Sequence, residues 1–177
     1  MGHIHNEPGQ HDYTVGAYII RVDYPEPKVL LHRHKKMKKL FPIGGHIELT
    51  ETPWQAIHRE IKEESGYQAD QLKILQPKIR IKELSDTVLH PLPVVVSDQD
   101  VNGSHFHTDL GYAFVAYSDP KGRKDVGESE EMGWFSRSEL NKLNNEDIFQ
   151  NTLRIYNFIF DECLTNWETV SIDEFKT

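Results

Sequence analysis

Three glutamates in one short stretch could share a divalent cation. Glu60, Glu63 and Glu64 are spaced i, i+3 and i+4, so on a helix their side chains project from the same face. Like charges at this spacing weaken a helix by about 0.2–0.5 kcal/mol per pair, which indicates that something cationic lies between them. Hard oxygen ligands suit Mg²⁺ or Mn²⁺, and these ions usually share their coordination with substrate phosphates. The spacing therefore predicts chemistry on phosphate.

The residues around these glutamates predict where the helix begins and ends. Thr52 is a suitable N-cap, Pro53 fits the first helical position, and Gln55 stands where it completes a capping box. Gly66 is the expected left-handed terminator. An apolar stripe at helical spacing predicts the buried face: Trp54, Ile57 and Ile61.

The stretch from Gly45 to Tyr67 resembles the signature of the Nudix hydrolases. Every fixed position of that signature is filled: Gly45, Glu51, Arg59, Glu60, Ile61, Glu63, Glu64, Gly66 and Tyr67. The competing interpretation is an exposed acidic helix face with ordinary basic partners. The complete spacing favours the Nudix interpretation.

The resemblance implies a fold, an activity and a set of roles. The fold would be a single α/β (α+β) domain over residues 1–177, a Nudix-type α/β/α sandwich with a mixed β-sheet and the signature as loop, helix and loop. The activity would be metal-dependent hydrolysis of a diphosphate linkage in a nucleoside diphosphate derivative, with Mg²⁺ or Mn²⁺ as cofactor and water attacking phosphorus. The alternative is a Nudix-fold nucleotide sensor without turnover, but such proteins typically lack signature glutamates that this chain retains.

The same resemblance assigns individual residues. Glu60 and Glu64 would be the surest metal ligands and Glu63 the next, while the Gly44 carbonyl would be a further ligand. Arg59 would orient glutamates such as Glu51. Gly44 and Gly45 would lie against the substrate.

Two further candidates lie outside the signature. Many Nudix enzymes use an extra glutamate from a loop before a late Trp-aromatic strand; here Glu131 is the first choice, followed by Glu130 and Glu128, and the alternative is a solvated acidic loop. Arg33 occupies a position that contacts substrate phosphate in some relatives. The alternative for Arg33 is an exposed basic hairpin tip, residues 32–39, which is the preferred interpretation for its lysines.

Composition excludes several other classes of protein. The 177 residues suit one domain with a real core, and a net charge of −8 argues against general binding to nucleic acid or membranes. The single cysteine, Cys163, predicts a reducing cytoplasm. The polar residues 1–12 predict a mobile terminus without a signal peptide, and no apolar run is long enough to cross a bilayer.

Histidines supply a second candidate group. His105, His107 and Asp109 alternate as on a strand, and His90 lies upstream. They could line the substrate or form a structural zinc site, although neither a cysteine cluster nor HExxH spacing supports zinc. Both alternatives stay open.

The remaining patterns predict a sheet with helices on both faces. Strands are predicted at 13–22, 29–32, 72–84, 111–117 and 133–135. Residues 85–107 are predicted to form a long loop or small insertion beside the site. A helix predicted at Glu146–Trp167 has a broad apolar face, which could cover the sheet or join a second copy in a homodimer.

Overall fold

The fold is built on one mixed sheet. The computed structural model describes residues 7–127, 129 and 131–175. Within these residues nine strands belong to the sheet: β1 (His11–Arg21), β2 (Lys28–Arg33), β3 (Leu40–Phe41), β4 (Ile43–His46), β5 (Leu72–Gln76), β6 (Val95–Val101), β7 (His105–Ala116), β8 (Met132–Ser136) and β9 (Glu168–Ser171).

Helices lie on both faces of this sheet. They are α1 (Pro53–Ser65), α2 (Arg137–Leu140), α3 (Gln150–Phe158) and α4 (Leu164–Asn166), with a π-helical turn at Ile159–Cys163 between the last two. Short 3₁₀ turns cover Ala69–Gln71 and Ile172–Glu174. This arrangement is the predicted α+β fold with a mixed sheet.

The strand order places β1 and β7 at the centre. The main path runs β3-β2-β1-β7-β5-β9, while β4 pairs with β1, β6 with β7 and β8 with β2. The β1 and β7 strands are parallel, with Asp12 opposite His107 and Gly16 opposite Gly111, and the other pairings are antiparallel. Because β4 also pairs with β1, the loop that begins the signature is fixed to the centre of the sheet.

Alternation along β1 divides the core into two layers. Val15, Ala17 and Ile19 pack beneath α1, together with its buried residues Trp54 and Ile57. Tyr18 and Ile20 face the opposite side, where they pack with the C-terminal helical segment, which is formed by α3, the π-helical turn and α4 (residues 150–166) and contributes Leu153, Tyr156 and Ile159. This segment therefore covers the sheet, which was one of its two predicted roles.

Four predictions about elements need correction. The predicted strand 72–84 ends at Gln76, and the helix expected to begin at Glu146 begins at Gln150, because Ile148 bridges to Leu40 instead. The predicted loop 85–107 contains β6 and the first residues of β7, which pair as a hairpin. Of the terminus 1–12 predicted to be mobile, residues 1–6 lie outside the described residues, whereas His11 and Asp12 belong to β1, since pairing with β7 satisfies their backbone.

Candidate functional site

Helix α1, which carries the three glutamates, begins and ends where the sequence predicts. The Thr52 side chain accepts a hydrogen bond from the Gln55 backbone, the Gln55 side chain completes the capping box, and Gly66 ends the helix at φ 75°. The apolar stripe holds the opposite face against the sheet. Glu60 is 5% exposed, whereas the Glu63 side chain is 33% exposed. The acidic face thus runs from the protein interior to solvent.

The two glycines of β4 let the strand pass close to this face. The Gly44 N–H donates a hydrogen bond of 3.0 Å to Glu64 Oε2. A Cβ added at Gly45 would stand 2.3 Å from Glu60 Oε1, and one added at Gly44 would stand 2.2 Å from the Val15 carbonyl oxygen. Gly44 therefore leaves no room for a side chain, whereas a side chain at Gly45 would displace the Glu60 carboxylate.

Arg59 joins the acidic groups to the loop before the helix. Its Nε and Nη2 donate to the two oxygens of Glu51 at 2.7 and 3.0 Å, a bidentate pair. Its Nη1 donates to Glu60 Oε1 at 2.7 Å and to Glu63 Oε2 at 3.3 Å, and Nη2 also donates to the His46 carbonyl. Hydrogen bonds from Arg59 lower the pKa of Glu51, and hydrogen bonds to Glu51 and then Glu60 raise the pKa of Arg59.

Arg33 and Glu131, both predicted site residues, lie against each other. Arg33 Nε donates to Glu131 Oε2 at 2.8 Å, and Arg33 Nη1 donates to the Lys38 carbonyl at 2.7 Å. The Glu131 side chain is 73% exposed, so it reaches solvent beside the end of β2. The alternative candidates Glu130 and Glu128 lie outside the described residues.

His32 belongs to this region and was missed from the sequence, where it was assigned to an exposed hairpin tip. It is 5% exposed, and its Nε2 lies 3.9 Å from Glu64 Oε2. Burial, followed by the charge of His34, lowers the pKa of His32 to about 4, so the ring is neutral at neutral pH. The available signal was its place at the end of the apolar run of β2.

The predicted histidine group has different members from those expected. His105 and His107 meet Asp12, and one ligand atom from each of the three lies within 4.8 Å of the others. Asp109 instead accepts a hydrogen bond of 2.8 Å from the Thr14 hydroxyl, and burial raises the pKa of Asp109. His90 is not a member of this group. Asp12 could not be chosen from sequence because its partners are more than ninety positions away.

The profile of the NUDIX domain matches residues 11–154, which includes every residue of the signature. The chain belongs to the Nudix family. Among curated proteins none matches its sequence.

Solved structures of other Nudix proteins share the fold. A Nudix-family hydrolase from Clostridium perfringens is 34% identical, with a TM-score of 0.69 over 84% of this chain and 95% of the other. The Caenorhabditis elegans Ap4A hydrolase is 20% identical, with a TM-score of 0.58 over 85% and 99%. The MutT protein from Methanosarcina mazei is 14% identical, with a TM-score of 0.59 over 87% and 98%. This chain is accordingly a Nudix hydrolase.

The donor set of this Nudix helix fits a hard divalent cation. The carboxylates of Glu60, Glu63 and Glu64 offer only oxygen, which Mg²⁺ and Mn²⁺ prefer. Because Gly45 has no side chain, the Glu60 carboxylate lies directly against the backbone of β4. No helix among the described residues combines the length and apolar character needed to cross a bilayer.

Proposed function

We propose that this Nudix hydrolase is a metal-dependent pyrophosphohydrolase that cleaves a diphosphate linkage in a nucleoside diphosphate derivative. The observation that carries the proposal is the arrangement of Glu60, Glu63 and Glu64 on one face of α1, beside the side-chain-free Gly44 and Gly45. Four signature glutamates are present, which favours catalysis over a sensor that binds nucleotide without turnover.

The residues that would hold Mg²⁺ or Mn²⁺ are Glu60, Glu64 and Glu63, together with the Gly44 carbonyl. When bound, the ion neutralises phosphate oxygens and lowers the pKa of water. Arg59 holds Glu51, Glu60 and Glu63 in position through the hydrogen bonds described above. Because Arg59 contacts protein groups on several sides, its role is to orient the carboxylates.

In the proposed reaction, water oxygen forms a bond to one phosphorus and the bond from that phosphorus to the bridging oxygen breaks. The bridging oxygen leaves with the second phosphate, and a carboxylate of the α1 face accepts the proton of the water. Arg33 supports binding of the leaving phosphate, since its guanidinium lies at the end of β2 beside Glu131. Glu131 is the auxiliary carboxylate in this scheme.

The substrate proposed for the first assays is a nucleotide or dinucleotide. A C. elegans relative of the same fold carries the name Ap4A hydrolase, and acidic dinucleoside polyphosphates present the linkage that this site is suited to attack. The single cysteine is consistent with the reducing cytoplasm expected from the sequence.

Removal of metal tests the cofactor. A hydrolysis screen over nucleoside triphosphates, dinucleotides, nucleotide sugars and ADP-ribose, with the nucleotide products separated by chromatography, should show activity with Mg²⁺ or Mn²⁺ and none with EDTA. Metal should also raise the melting temperature, because it binds the folded state and relieves repulsion among the clustered carboxylates. Undiminished hydrolysis in the presence of chelator would refute the mechanism.

Glu60→Gln tests the helix face itself. The variant keeps the size of the side chain and an oxygen that accepts from Arg59 Nη1, but it removes one charge from the metal-binding face. We expect kcat to fall at least ~100-fold while the fold is retained. Glu26→Gln is the control, since Glu26 is exposed in the turn between β1 and β2.

Glu131→Gln completes the comparison. Its loss of kcat should be smaller than that of Glu60→Gln if the exposed carboxylate is auxiliary. A folded Glu60→Gln protein with full activity would contradict the assignment of α1 as the catalytic centre. If neither variant lost activity while still binding nucleotide, no catalytic role would remain for this face.

A further inference from the structure

A second group of potential metal ligands lies outside the signature glutamates. Asp12 stands near the start of β1, and His105 and His107 stand near the start of β7. The parallel pairing of these strands places Asp12 opposite His107. Side chains from two strands that are far apart in sequence are thereby brought to one point on the sheet.

The separation between the two histidine nitrogens in this group matches that between two ligands of one ion. His105 Nε2 lies 3.2 Å from His107 Nε2 and 3.8 Å from Asp12 Oδ2. Two ligand atoms on a tetrahedral zinc ion, with bonds of ~2.0–2.1 Å, are about 3.3 Å apart. The distance to Asp12 exceeds the usual range of a hydrogen bond, whereas a shift of about 0.5 Å would bring that oxygen to the ligand spacing.

A neighbouring hydroxyl orients the His105 ring. Ser104 Oγ donates its hydrogen to the Val101 carbonyl at 2.7 Å, so it accepts from His105 Nδ1 at 2.7 Å. The proton of a neutral His105 is therefore on Nδ1, and the Nε2 lone pair is directed toward His107 and Asp12. Metal-binding histidines commonly have their second nitrogen fixed by such a partner.

The surroundings are also those of a protein-bound ion. Asp12 is 2% exposed and His105 is 3% exposed, so these two ligands are shielded from bulk water. The His46 ring lies beside the group, with its Nε2 3.8 Å from Asp12 Oδ2 and its centroid 5.0 Å from that of His107. Imidazole nitrogen combined with one carboxylate suits zinc and similar transition metals rather than Mg²⁺.

We propose that Asp12, His105 and His107 form a second metal site, which binds Zn²⁺ independently of the glutamates of α1. The ion would tie the start of β1 to the start of β7. The ion would also lie close to the signature residues, because the His46 carbonyl accepts a hydrogen bond from Arg59 while the His46 ring faces the new site.

Zinc binding to the full chain in millimolar Mg²⁺ tests this proposal, with the magnesium occupying the glutamate face. Metal-stripped protein should bind one zinc ion per chain at this site, measured by competition with a chromophoric chelator. Asp12→Asn, His105→Gln and His107→Gln should each weaken this binding at least ~100-fold, which is more than the loss of a residue that only orients a ligand. The readout is zinc affinity, so its result does not depend on whether the proposed hydrolysis is found.

Two controls separate the site from its surroundings. His11 precedes Asp12 in the sequence, and its ring hydrogen-bonds to Thr108. His11→Gln should therefore keep the zinc affinity of the parent. Glu63→Gln alters the signature face and should also keep it. Zinc binding that survives in His107→Gln, or that disappears in Glu63→Gln, would overturn the proposal.

A measurement on the unchanged chain covers the case in which a variant fails to fold. Long-range ¹H–¹⁵N spectra should show that zinc shifts the Nε2 resonances of His105 and His107, while those of His11 stay unchanged. Unshifted His105 and His107 resonances at saturating zinc would equally overturn the site.

Discussion

Arg59 shows how one side chain can organise several acidic groups. Its guanidinium contacts Glu51, Glu60, Glu63 and the His46 carbonyl, so these carboxylates are held in a fixed arrangement by the protein alone. A lysine could not reproduce this pattern, because it lacks the planar fork that makes two parallel hydrogen bonds to Glu51. The clustered negative charge is thus compensated from within the same helix.

His34 provides a pH-dependent contact at the tip between β2 and β3. Its Nδ1 accepts a hydrogen bond of 3.2 Å from the Met37 N–H, which requires that nitrogen to be unprotonated. Burial, and then the charge of Lys36, lower the pKa of His34 below its usual value. The folded state therefore favours the neutral ring.

The neutral His34 ring should therefore contribute fully to stability above about pH 6.5. This contribution should be lost as the pH falls through the folded-state pKa of His34, because the unfolded chain then binds the proton more readily than the folded protein does. An NMR titration of the His34 ring should give a pKa below about 6.5. The fall in the free energy of unfolding from about pH 7 to about pH 5 should be smaller in His34→Gln. A ring that titrates at or above its ordinary value would contradict this expectation.

At the scale of elements, the two glycines of β4 should respond differently to alanine. At Gly44 the added Cβ meets the Val15 carbonyl oxygen, which belongs to the paired strand β1, so the sheet itself must shift. At Gly45 it meets the end of the Glu60 side chain, which can rotate away. The first substitution therefore disturbs the fold and the second disturbs the site.

We expect Gly44→Ala to lower the free energy of unfolding by about 3 kcal/mol or more, and Gly45→Ala by about 1 kcal/mol. Gly45→Ala should nevertheless lower kcat at least ~10-fold, because it displaces the Glu60 carboxylate, which would position the reacting groups in the proposed mechanism. Urea unfolding and hydrolysis assays measure the two effects. Gly133→Ala is the control, since its Cβ would meet only the Phe135 ring at 3.3 Å; equal stability losses at Gly44 and Gly45 would refute the distinction.

The elements also differ in how well they could be predicted. Both ends of helix α1 could be predicted because the residues that determine them, Thr52 and Gly66, lie next to the helix in the sequence. The β6 strand was missed because most of its residues are exposed, so it lacks an apolar alternation. The signal that could have revealed the hairpin is Asn102–Gly103, where both residues adopt positive φ.

The residues of the site could likewise be predicted to lie together only where they are close in the sequence. The glutamates of α1 and Arg59 lie within one helix, so their spacing places them on a shared face. Asp12 and His107 meet only through the parallel pairing of β1 with β7, and His32 approaches Glu64 across the fold. Contacts of this kind depend on strand order, which residue spacing alone does not determine.

At the scale of the molecule, the sheet separates two apolar layers that share its central strands. Ile57 is completely buried in the layer beneath α1, and Ile159 is completely buried in the layer beneath the C-terminal helical segment. Alternate residues of β1 contribute to each layer. Loss of either layer should therefore destabilise the same strands, so the described fold is expected to unfold in one cooperative step.

Ile57→Val and Ile159→Val test this coupling. Each removes one buried methylene and should lower the free energy of unfolding by about 0.5–1.5 kcal/mol. Since the two side chains lie in separate layers, their effects should add within about 0.3–0.5 kcal/mol in the double variant.

Urea unfolding followed by both tryptophan fluorescence and circular dichroism measures these values. Trp54 reports on the α1 layer because its ring is completely buried there, while Trp167 packs against the opposite layer. Coincident transitions are expected in all variants, with an unchanged dependence on urea, because the surface exposed on unfolding is almost the same. If Ile159→Val produced a separate early transition by circular dichroism, accompanied by only part of the fluorescence change, the C-terminal helical segment would unfold alone and the sheet would not couple the two layers.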